Sequence, residues 1–184
     1  HLAELRHAFL NLLLKDLVAS THAAESVNRA PGAFIQRNNG EEMLTAIRSP
    51  VLSGPGSCGS FLFLEDSIPI RPVGFCNVNE LFELNTGQAA AIEVLRGAAP
   101  ALYGANAVHG IVNVLTPAAA QLRGVSLAIE GGMDDWRRLR GAAGNESFAI
   151  AGSASHDGGW RSDSATDEAK LNLLGDYPLG GGQL

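Results

Sequence analysis

Glycines between two apolar segments have the spacing of a nucleotide-binding turn. Gly54, Gly56 and Gly59 match the G-x-G-x-x-G pattern, in which glycines let the backbone approach a pyrophosphate. Such a turn must follow a strand and open a helix, so that the phosphates meet the helix N-terminus. Here the strand-like run Phe61–Leu64 comes after the glycines, and Pro55 lies among them. The pattern therefore does not predict cofactor binding, and we expect no cofactor.

His156 and its polar neighbours are the residue types of a hydrolytic relay. The histidine is followed by Asp157 and preceded by Ser153 and Ser155. Neighbouring residues on a strand point to opposite faces, so Ser155 is badly placed to pass a proton to His156. A surface strand that runs into a polar loop explains the same residues. A small α+β hydrolase that uses His156 or His109 stays open as an alternative.

The two cysteines, Cys58 and Cys76, are the remaining candidates for covalent or metal chemistry. None of the five histidines stands at the short Cys/His spacing of a zinc site, so we expect no metal site. In an oxidising compartment, a disulfide between the two would stabilise the fold by roughly 3 kcal/mol, because it restricts the unfolded chain. Two free thiols are the alternative, and the composition does not decide between them.

Length, charge and composition limit the classes of protein. The 184 residues suffice for one domain or two small ones with a buried core. A net charge of -6 predicts no basic surface, so we expect no nucleic-acid partner. Aromatic residues make up 6% and glycine occurs 22 times, which is typical of many turns and strands. The apolar stretch at 8–18 is interrupted and too short for a membrane-spanning helix.

The segment up to residue 118 alternates short helices with short strands. Apolar residues recur at helical spacing from residue 2 to residue 13, which predicts an amphipathic helix over residues 1–20. A second helix is predicted over Ala23–Arg29, because Pro31 and Gly32 then end it. The predicted strands are Ala33–Gln36, Leu44–Arg48, Phe61–Leu64, Ile92–Leu95 and Ile111–Leu115. This alternation predicts an α+β fold.

After the alanines at 118–120 the pattern changes to alternation with a period of two. In Val125–Glu130 the larger apolar side chains take every second position. The spacing returns at Phe148 and Ile150, and again at Leu171 and Leu173. Four strands joined by turns predict an antiparallel meander with one apolar face and one small or polar face. Such a sheet either covers a protein core in water or forms a barrel wall between lipid and lumen.

A continuous segment from Ala90 onward carries a series of short motifs. It reads AAIEVLRGAAPALYGANAVHGIVNVLTP, with I-E-V-L-R-G, then A-L-Y-G-x-N-A, then G-x-x-N-V-x-T. This series resembles the plug-domain signature of TonB-dependent outer-membrane receptors. Upstream, FLFLEDSIPI is similar to the family's strand and D-G-x-P turn, with Ser67 in place of the glycine. APGAFIQR and LTAIRSP resemble two earlier plug strands, with Ser49 and Pro50 replacing another glycine, so the matches cover residues 30–117.

Beyond residue 117, the segments SLAIEGG, DDWRRLRGAAG, FAIAGSASHDGGWR and KLNLLGDY are similar to the first hairpins of the family's barrel. The resemblance implies an α+β plug domain, a small mixed sheet with short helices, followed by antiparallel β-strands of an incomplete transmembrane β-barrel. We expect an N-terminal helical segment of unknown role over 1–22, the plug over 23–118 and the first barrel strands over 119–184. Four strands cannot close a cylinder, so the sequence looks like a fragment of the channel.

The resemblance implies a transport component of the bacterial outer membrane rather than an enzyme. In this family the plug gates energy-dependent uptake of scarce cargo such as ferric siderophores or cobalamin. The implied partners are a TonB-type inner-membrane energy transducer, outer-membrane lipid and small-molecule or metal-chelate cargo. Residues 1–20 show nothing like the family's energy-coupling segment. A plug-like fragment that only binds or signals, without transport, is the alternative.

The resemblance also implies roles for particular residues. Arg48, Glu93 and Arg96 match plug residues that pair with charges on the barrel wall. Hydrogen-bonded ion pairs of this kind hold a buried plug while intact and let it separate once broken. Two cargo-facing loops are implied at 53–59 and 71–78, with the candidate contacts Ser57, Cys58, Arg71, Phe75 and Asn77. A disulfide between Cys58 and Cys76 would join these loops. No catalytic residue is expected.

Overall fold

The computed structural model divides into two compact units. The described residues are 7–10, 20–37, 43–50, 61–70, 84–99, 103, 107–176, 178–179 and 182–183. The first unit is His1–Thr116 and the second is Pro117–Leu184. No helix within the described ranges is long and apolar enough to cross a membrane.

The first unit contains a five-stranded mixed sheet and a separate hairpin. Its elements are β1 (His7–Leu10), α1 (Ala23–Val27), β2 (Ala33–Arg37), β3 (Met43–Ile47), β4 (Phe61–Glu65), β5 (Ile68–Pro69), a 3₁₀ turn (Thr86–Gln88), β6 (Ala91–Arg96) and β7 (Gly110–Leu115). The sheet has the order β1-β6-β7-β4-β5, in which only β4 and β7 are parallel neighbours. Strands β2 and β3 pair with each other. The predicted α+β fold with a small mixed sheet is confirmed.

Helix α1 is capped at its start and attached to β2 at its end. His22 accepts a hydrogen bond at Nδ1 from the Ala24 backbone amide at 3.0 Å, which caps the N-terminus. Just after the helix, Asn28 Oδ1 accepts from the Ile35 amide at 2.6 Å and Asn28 Nδ2 donates to the Ile35 carbonyl at 3.1 Å. The helix predicted over Ala23–Arg29 is confirmed, although it ends two residues earlier.

Strand β4 is apolar throughout because both faces of the sheet are covered. Phe61 and Phe63 lie in one buried cluster, together with side chains from α1, β2 and β3. Leu62 and Leu64, which alternate with them, lie in a second cluster on the other face. Each large side chain buried in this way contributes roughly 1.5–3 kcal/mol. The strand predicted at Phe61–Leu64 is confirmed, and the two-sided burial explains its unbroken apolar run.

The N-terminal segment is not helical where the structure describes it. His7–Leu10 is strand β1, which pairs antiparallel with β6. The helix predicted over residues 1–20, and with it the helical segment expected over 1–22, is therefore wrong at residues 7–10. Without β1, strand β6 would have an edge of unpaired backbone groups, and this pairing overrides the local helical spacing. Residues 1–6 and 11–19 lie outside the described residues.

The second unit is an antiparallel meander. It consists of a 3₁₀ turn (Ala119–Leu122), β8 (Gly124–Gly131), β9 (Arg137–Gly144), β10 (Phe148–Asp157), β11 (Thr166–Gly175), β12 (Pro178–Leu179) and β13 (Gly182–Gln183). Strands β8 to β11 form one sheet in chain order, each antiparallel to the next, and β12 pairs with β13. The predicted four-stranded meander is confirmed. The loop between β10 and β11 covers residues 158–165.

Gly110, the first residue of β7, lies at a close approach between strands. A Cβ atom at this position would lie 2.4 Å from the Leu95 carbonyl oxygen and 2.7 Å from Ile47 Cγ2. The carbonyl belongs to the backbone of β6, so it cannot rotate away as a side chain would. Position 110 therefore has no room for a side chain.

We expect Gly110→Ala to destabilise the chain by about 3 kcal/mol, because the added methyl group must displace the β6 backbone. Gly87→Ala is the matched control, since a Cβ atom there meets nothing within 4 Å. Its free energy of unfolding should change by no more than about 0.5 kcal/mol. Urea titration of the chain in detergent measures both variants. Equal stability of the two would contradict the close approach at Gly110.

Candidate functional site

Two arginines of the first unit meet at one turn. Arg48 directly follows β3, and Arg96 is the last residue of β6. Between α1 and β2 the chain turns at Pro31 and Gly32. Arg96 Nη1 donates a hydrogen bond to the Pro31 carbonyl at 2.7 Å, and the Arg48 backbone amide donates to the Gly32 carbonyl at 2.9 Å. The fold thus brings together two of the three residues for which the resemblance implies pairing with charges on the barrel wall.

Gly32 leaves the space that both arginine side chains occupy. A Cβ atom at position 32 would lie 3.3 Å from Arg48 Cγ and 3.7 Å from Arg96 Cδ. Gly32 has a φ of 82°, in the left-handed region that glycine adopts without strain. Arg48 also has a positive φ, 49°, which is uncommon for a residue with a side chain. Backbone strain of this kind is typical of functional positions.

Neither arginine forms an ion pair with a carboxylate of the described residues. In addition, Arg96 Nε is buried and has no hydrogen-bond partner within that part of the chain. A buried N–H group without an acceptor costs about 1–3 kcal/mol. A carboxylate would satisfy it well, because the planar guanidinium matches the two carboxylate oxygens. The arrangement therefore favours binding of an acidic group that the described residues do not supply.

Glu93 lies away from the two arginines. Side chains alternate along β6, so Glu93 and Arg96 lie on opposite faces of the sheet. Asn113 Nδ2 donates to Glu93 Oε2 at 3.2 Å, and Asn113 Oδ1 accepts from the Ser67 amide at 2.9 Å. Asn113 is buried in β7. Glu93 is therefore part of a separate polar cluster on the other face of the sheet.

The turn between β4 and β5 is where the chain has Ser67 in place of the family's glycine. Asp66 and Ser67 have φ values of 49° and 68°, so a glycine would fit this turn without strain. Asp66 accepts hydrogen bonds from the Thr116 amide at 2.9 Å and from Thr116 Oγ1 at 2.5 Å, which attach the turn to the end of β7. Asn113 and Thr116 belong to the G-x-x-N-V-x-T motif, but sequence reasoning assigned no role to them or to Gly32.

In the second unit, one face of the β8–β11 sheet is a continuous apolar surface. The strand register aligns its side chains in rows, of which the central one is Leu127, Gly141, Gly152 and Leu171. Neighbouring rows on this face add Val125, Ile129, Leu139, Phe148, Ile150 and Leu173. Val125 is 87% exposed, Ile129 79% and Leu171 67%. An apolar surface of this extent is unstable against water and marks a contact with lipid or protein.

Charged residues border one end of this apolar surface. Arg137, His156 and Asp167 form a row across β9, β10 and β11. His156 Nδ1 lies 2.7 Å from Asp167 Oδ1, and His156 Nε2 lies 3.6 Å from Asp135 Oδ2. The nine residues from Phe148 to His156 are about the number that a tilted strand needs to cross a bilayer. The length of the apolar face therefore suits a membrane wall.

The opposite face of the same sheet carries paired charges. Glu130 accepts a hydrogen bond from Arg138 Nε at 2.6 Å and from Arg140 Nε at 2.9 Å. Lys170 Nζ lies 3.0 Å from Glu168 Oε1. These side chains alternate in sequence with those of the apolar face, as a two-faced strand requires. The predicted division into an apolar and a polar face is confirmed, and it is the pattern of a barrel wall.

The geometry around His156 contradicts a hydrolytic relay. Its two ring nitrogens face the carboxylates of Asp135 and Asp167. Ser155 lies on the opposite face of β10, because neighbouring residues alternate. The residue types of a relay are present, but the sheet separates the hydroxyl from the imidazole.

The loops implied to face cargo lie outside the described residues. This applies to the candidate contacts Ser57, Cys58, Arg71, Phe75 and Asn77, and also to Cys76. Their roles and the Cys58–Cys76 disulfide therefore stay predictions.

A family model identifies the first unit. The model described as the TonB-dependent receptor plug domain matches residues 13–111, more than half of the chain. The chain belongs to the TonB-dependent receptor plug domain family. The plug match includes the I-E-V-L-R-G motif, whose last arginine, Arg96, lies at the turn described above. The resemblance found in the sequence is confirmed.

Solved structures of outer-membrane receptors share the fold of this chain. The FrpB iron transporter of Neisseria meningitidis (F5-1 variant) has a TM-score of 0.72 at 17% identity, over 96% of this chain and 30% of that one. The ferric yersiniabactin uptake receptor FyuA of Yersinia pestis has 0.65 at 16%, over 91% and 28%. The Serratia marcescens hemophore receptor HasR has 0.68 at 16%, over 95% and 29%. The chain therefore spans less than a third of each.

These matches agree with the two-faced sheet of the second unit. The plug and the strands that follow it are part of an outer-membrane receptor, and β8–β11 are strands of its barrel wall. Proteins of this family are receptors and not enzymes, so the hydrolase alternative is wrong for His156 and for His109. The predicted localisation in the bacterial outer membrane is confirmed.

We expect Leu171→Lys to reduce assembly of the receptor into the outer membrane, because a charge in the middle of a lipid-facing strand costs about 2–4 kcal/mol. Asn172→Lys is the matched control, since position 172 belongs to the polar face and tolerates a charge. The fraction of folded receptor in purified outer membranes, measured by its resistance to heat in electrophoresis, compares the two. Equal loss of assembly in both variants would contradict the assignment of the lipid-facing side.

Proposed function

We propose that this plug gates energy-dependent uptake of scarce cargo through an outer-membrane receptor. The observation that carries the proposal is a plug-family match over residues 13–111, followed by a sheet with one apolar and one charged face. A gate requires a compact obstruction and a wall that surrounds a polar passage. The plug unit buries both faces of its sheet, whereas the wall unit leaves a long apolar face exposed. The two units have the surfaces that such a gate requires.

The proposed cargo is a metal chelate such as a ferric siderophore, or cobalamin. FyuA is an uptake receptor for ferric yersiniabactin, FrpB is an iron transporter and PirA is a siderophore receptor. These names support a chelate of scarce metal as the cargo class. Cobalamin belongs to the same proposal because it is another scarce metal complex, and the uptake experiment below separates the two.

We propose that Arg48 and Arg96 act as a releasable latch that pairs with carboxylates of the barrel wall. Both lie against Gly32, and neither pairs with a carboxylate of the described residues. A desolvated arginine–carboxylate pair resists separation, since removing one partner costs about 3–5 kcal/mol. Once broken, the pair leaves the plug's apolar core intact, so the plug can move without complete unfolding. Glu93, on the other face of β6, would make a separate contact.

We propose a TonB-type inner-membrane transducer as the partner that pulls on the plug. Strand β1 is the described part of the N-terminal segment, and its four residues pair with β6. Strand β6 ends at Arg96. Tension on β1 would therefore reach the strand that carries one latch arginine. A short edge strand, held on one side only, separates more easily than a strand in the middle of a sheet.

Uptake in cells tests the proposed function. Deleting the gene for the complete receptor should abolish uptake of one labelled cargo, either a ferric siderophore or cobalamin, while the other enters normally. Deleting the gene for the transducer should abolish the same uptake. Binding of the cargo to cells that never accumulate it would instead support the alternative of a receptor that only binds or signals.

We expect the paired substitution Arg48→Ala and Arg96→Ala to loosen the plug and admit large antibiotics that the outer membrane excludes. The loss of these ion pairs should raise the rate of antibiotic entry at least tenfold, because a factor of ten corresponds to about 1.4 kcal/mol and breaking one desolvated pair costs about 3–5 kcal/mol. Arg29→Ala is the control, because Arg29 is an exposed arginine whose Nε donates to the Glu25 carbonyl. Antibiotic entry is measured at equal amounts of assembled receptor. Entry that is unchanged in the paired variant would contradict the latch.

A further inference from the structure

We propose that Gly32 is the positioning residue that seats Arg48 and Arg96 together as one clamp for a carboxylate. The proposal rests on the latch described above. It explains why Arg48 and Arg96, which are far apart in the sequence, act as a unit. It predicts that position 32 acts through the arginines and not through the stability of its own turn. Three features of the turn support it.

The first feature is the backbone conformation of the turn. The Ala33 amide donates to the Ala30 carbonyl at 3.0 Å, so residues 30–33 form a β-turn with Pro31 and Gly32 at its centre. Pro31 suits the second position, and the φ of 82° at Gly32 suits a type II turn, which requires a positive φ at the third. The turn is thereby held in one shape before either arginine contacts it.

The second feature is that the two carbonyl groups of the turn hold one arginine each. The Pro31 carbonyl accepts from Arg96 Nη1 at 2.7 Å, and the Gly32 carbonyl accepts from the Arg48 amide at 2.9 Å. The turn therefore fixes the side chain of Arg96 and the backbone of Arg48. Because the carbonyls belong to consecutive residues, a shift of one contact also shifts the other.

The third feature is the space above Gly32. A Cβ atom there would lie 3.3 Å from Arg48 Cγ, 3.4 Å from Arg48 Nε and 3.7 Å from Arg96 Cδ. The stems of both side chains thus lie against one point on the turn. Arg48 adopts a positive φ of 49° in this arrangement. A side chain at position 32 would have to displace at least the Arg48 stem by a few tenths of an ångström.

The chemistry of the clamp points to a carboxylate as its ligand. Arg96 uses Nη1 on the Pro31 carbonyl, and its buried Nε has no hydrogen-bond partner among the described residues. A carboxylate is the acceptor whose two oxygens match the planar guanidinium group. Because the stems of both arginines lie against Gly32, one acidic side chain near this point would attract both positive charges. Acidic side chains of the receptor wall are the proposed source.

The test compares Gly32→Ala with Gly124→Ala in the complete receptor. Gly124 is a matched control because its φ is 93° but a Cβ atom there meets nothing within 4 Å. Both variants therefore carry the same kind of backbone strain, and only Gly32→Ala also disturbs the arginines. Gly32→Asn is a second variant, since asparagine tolerates a positive φ better than alanine. Antibiotic entry is measured at equal amounts of assembled receptor, and each variant is also made in the Arg48→Ala and Arg96→Ala background.

We expect Gly32→Ala and Gly32→Asn to raise antibiotic entry about tenfold, an effect of the size found when residues in contact are coupled. Gly124→Ala should leave antibiotic entry unchanged. In the background that lacks both arginines, the Gly32 substitutions should add nothing, because the clamp is already gone. A full additional effect in that background would overturn the proposal, since Gly32 would then act through the turn alone. A leak from the paired arginine variant with none from either Gly32 variant would overturn the positioning role but leave the latch intact.

Discussion

The second unit depends on one constraint, which is that its apolar side chains must lie against hydrocarbon. The register of β8–β11 gathers residues such as Val125, Leu127 and Leu171 on one face, and no described residue buries them. Strands β9 and β10 are paired on both sides, whereas β8 and β11 are the edges of the described sheet; crossing a bilayer requires that such edges are paired as well. Charges are confined to the opposite face and to the border row at His156. Sequence alternation, pairing and charge placement all follow from this division between lipid and polar surroundings.

The plug unit meets the opposite constraint, since both faces of its sheet are covered by its own residues. Interior strand positions are therefore mostly apolar, as in β4, and the charged side chains of these strands other than Glu93 lie at strand ends. Arg96 at the end of β6 and Arg48 just after β3 are examples. The buried exception is Asn113, whose side-chain amide is used by both Glu93 and the turn at Ser67. Asn113 can stay inside this sheet because both ends of its side-chain amide have a partner.

The proposed latch combines these two kinds of surface in one receptor. A plug that adhered to its wall through apolar side chains would have to expose them to water in order to move. Arginine–carboxylate pairs instead hold strongly while dry, and their separated charges are well solvated once water enters. Gly32 is central to the proposed arrangement because it has no side chain to fill the space that the stems of Arg48 and Arg96 occupy. In this proposal, the smallest residue determines how two of the largest are placed.

The sequence by itself determined the alternation of the wall strands, the apolar run Phe61–Leu64 and the motifs of the plug family, because these depend on neighbours along the chain. It failed at His7–Leu10, where pairing with a distant strand outweighs helical spacing. Only the tertiary structure decided that Arg48 and Arg96 meet at Gly32, while Glu93 turns to the other face of its sheet. Contacts of this kind depend on strand order and register, and no local pattern encodes which distant segments will be paired.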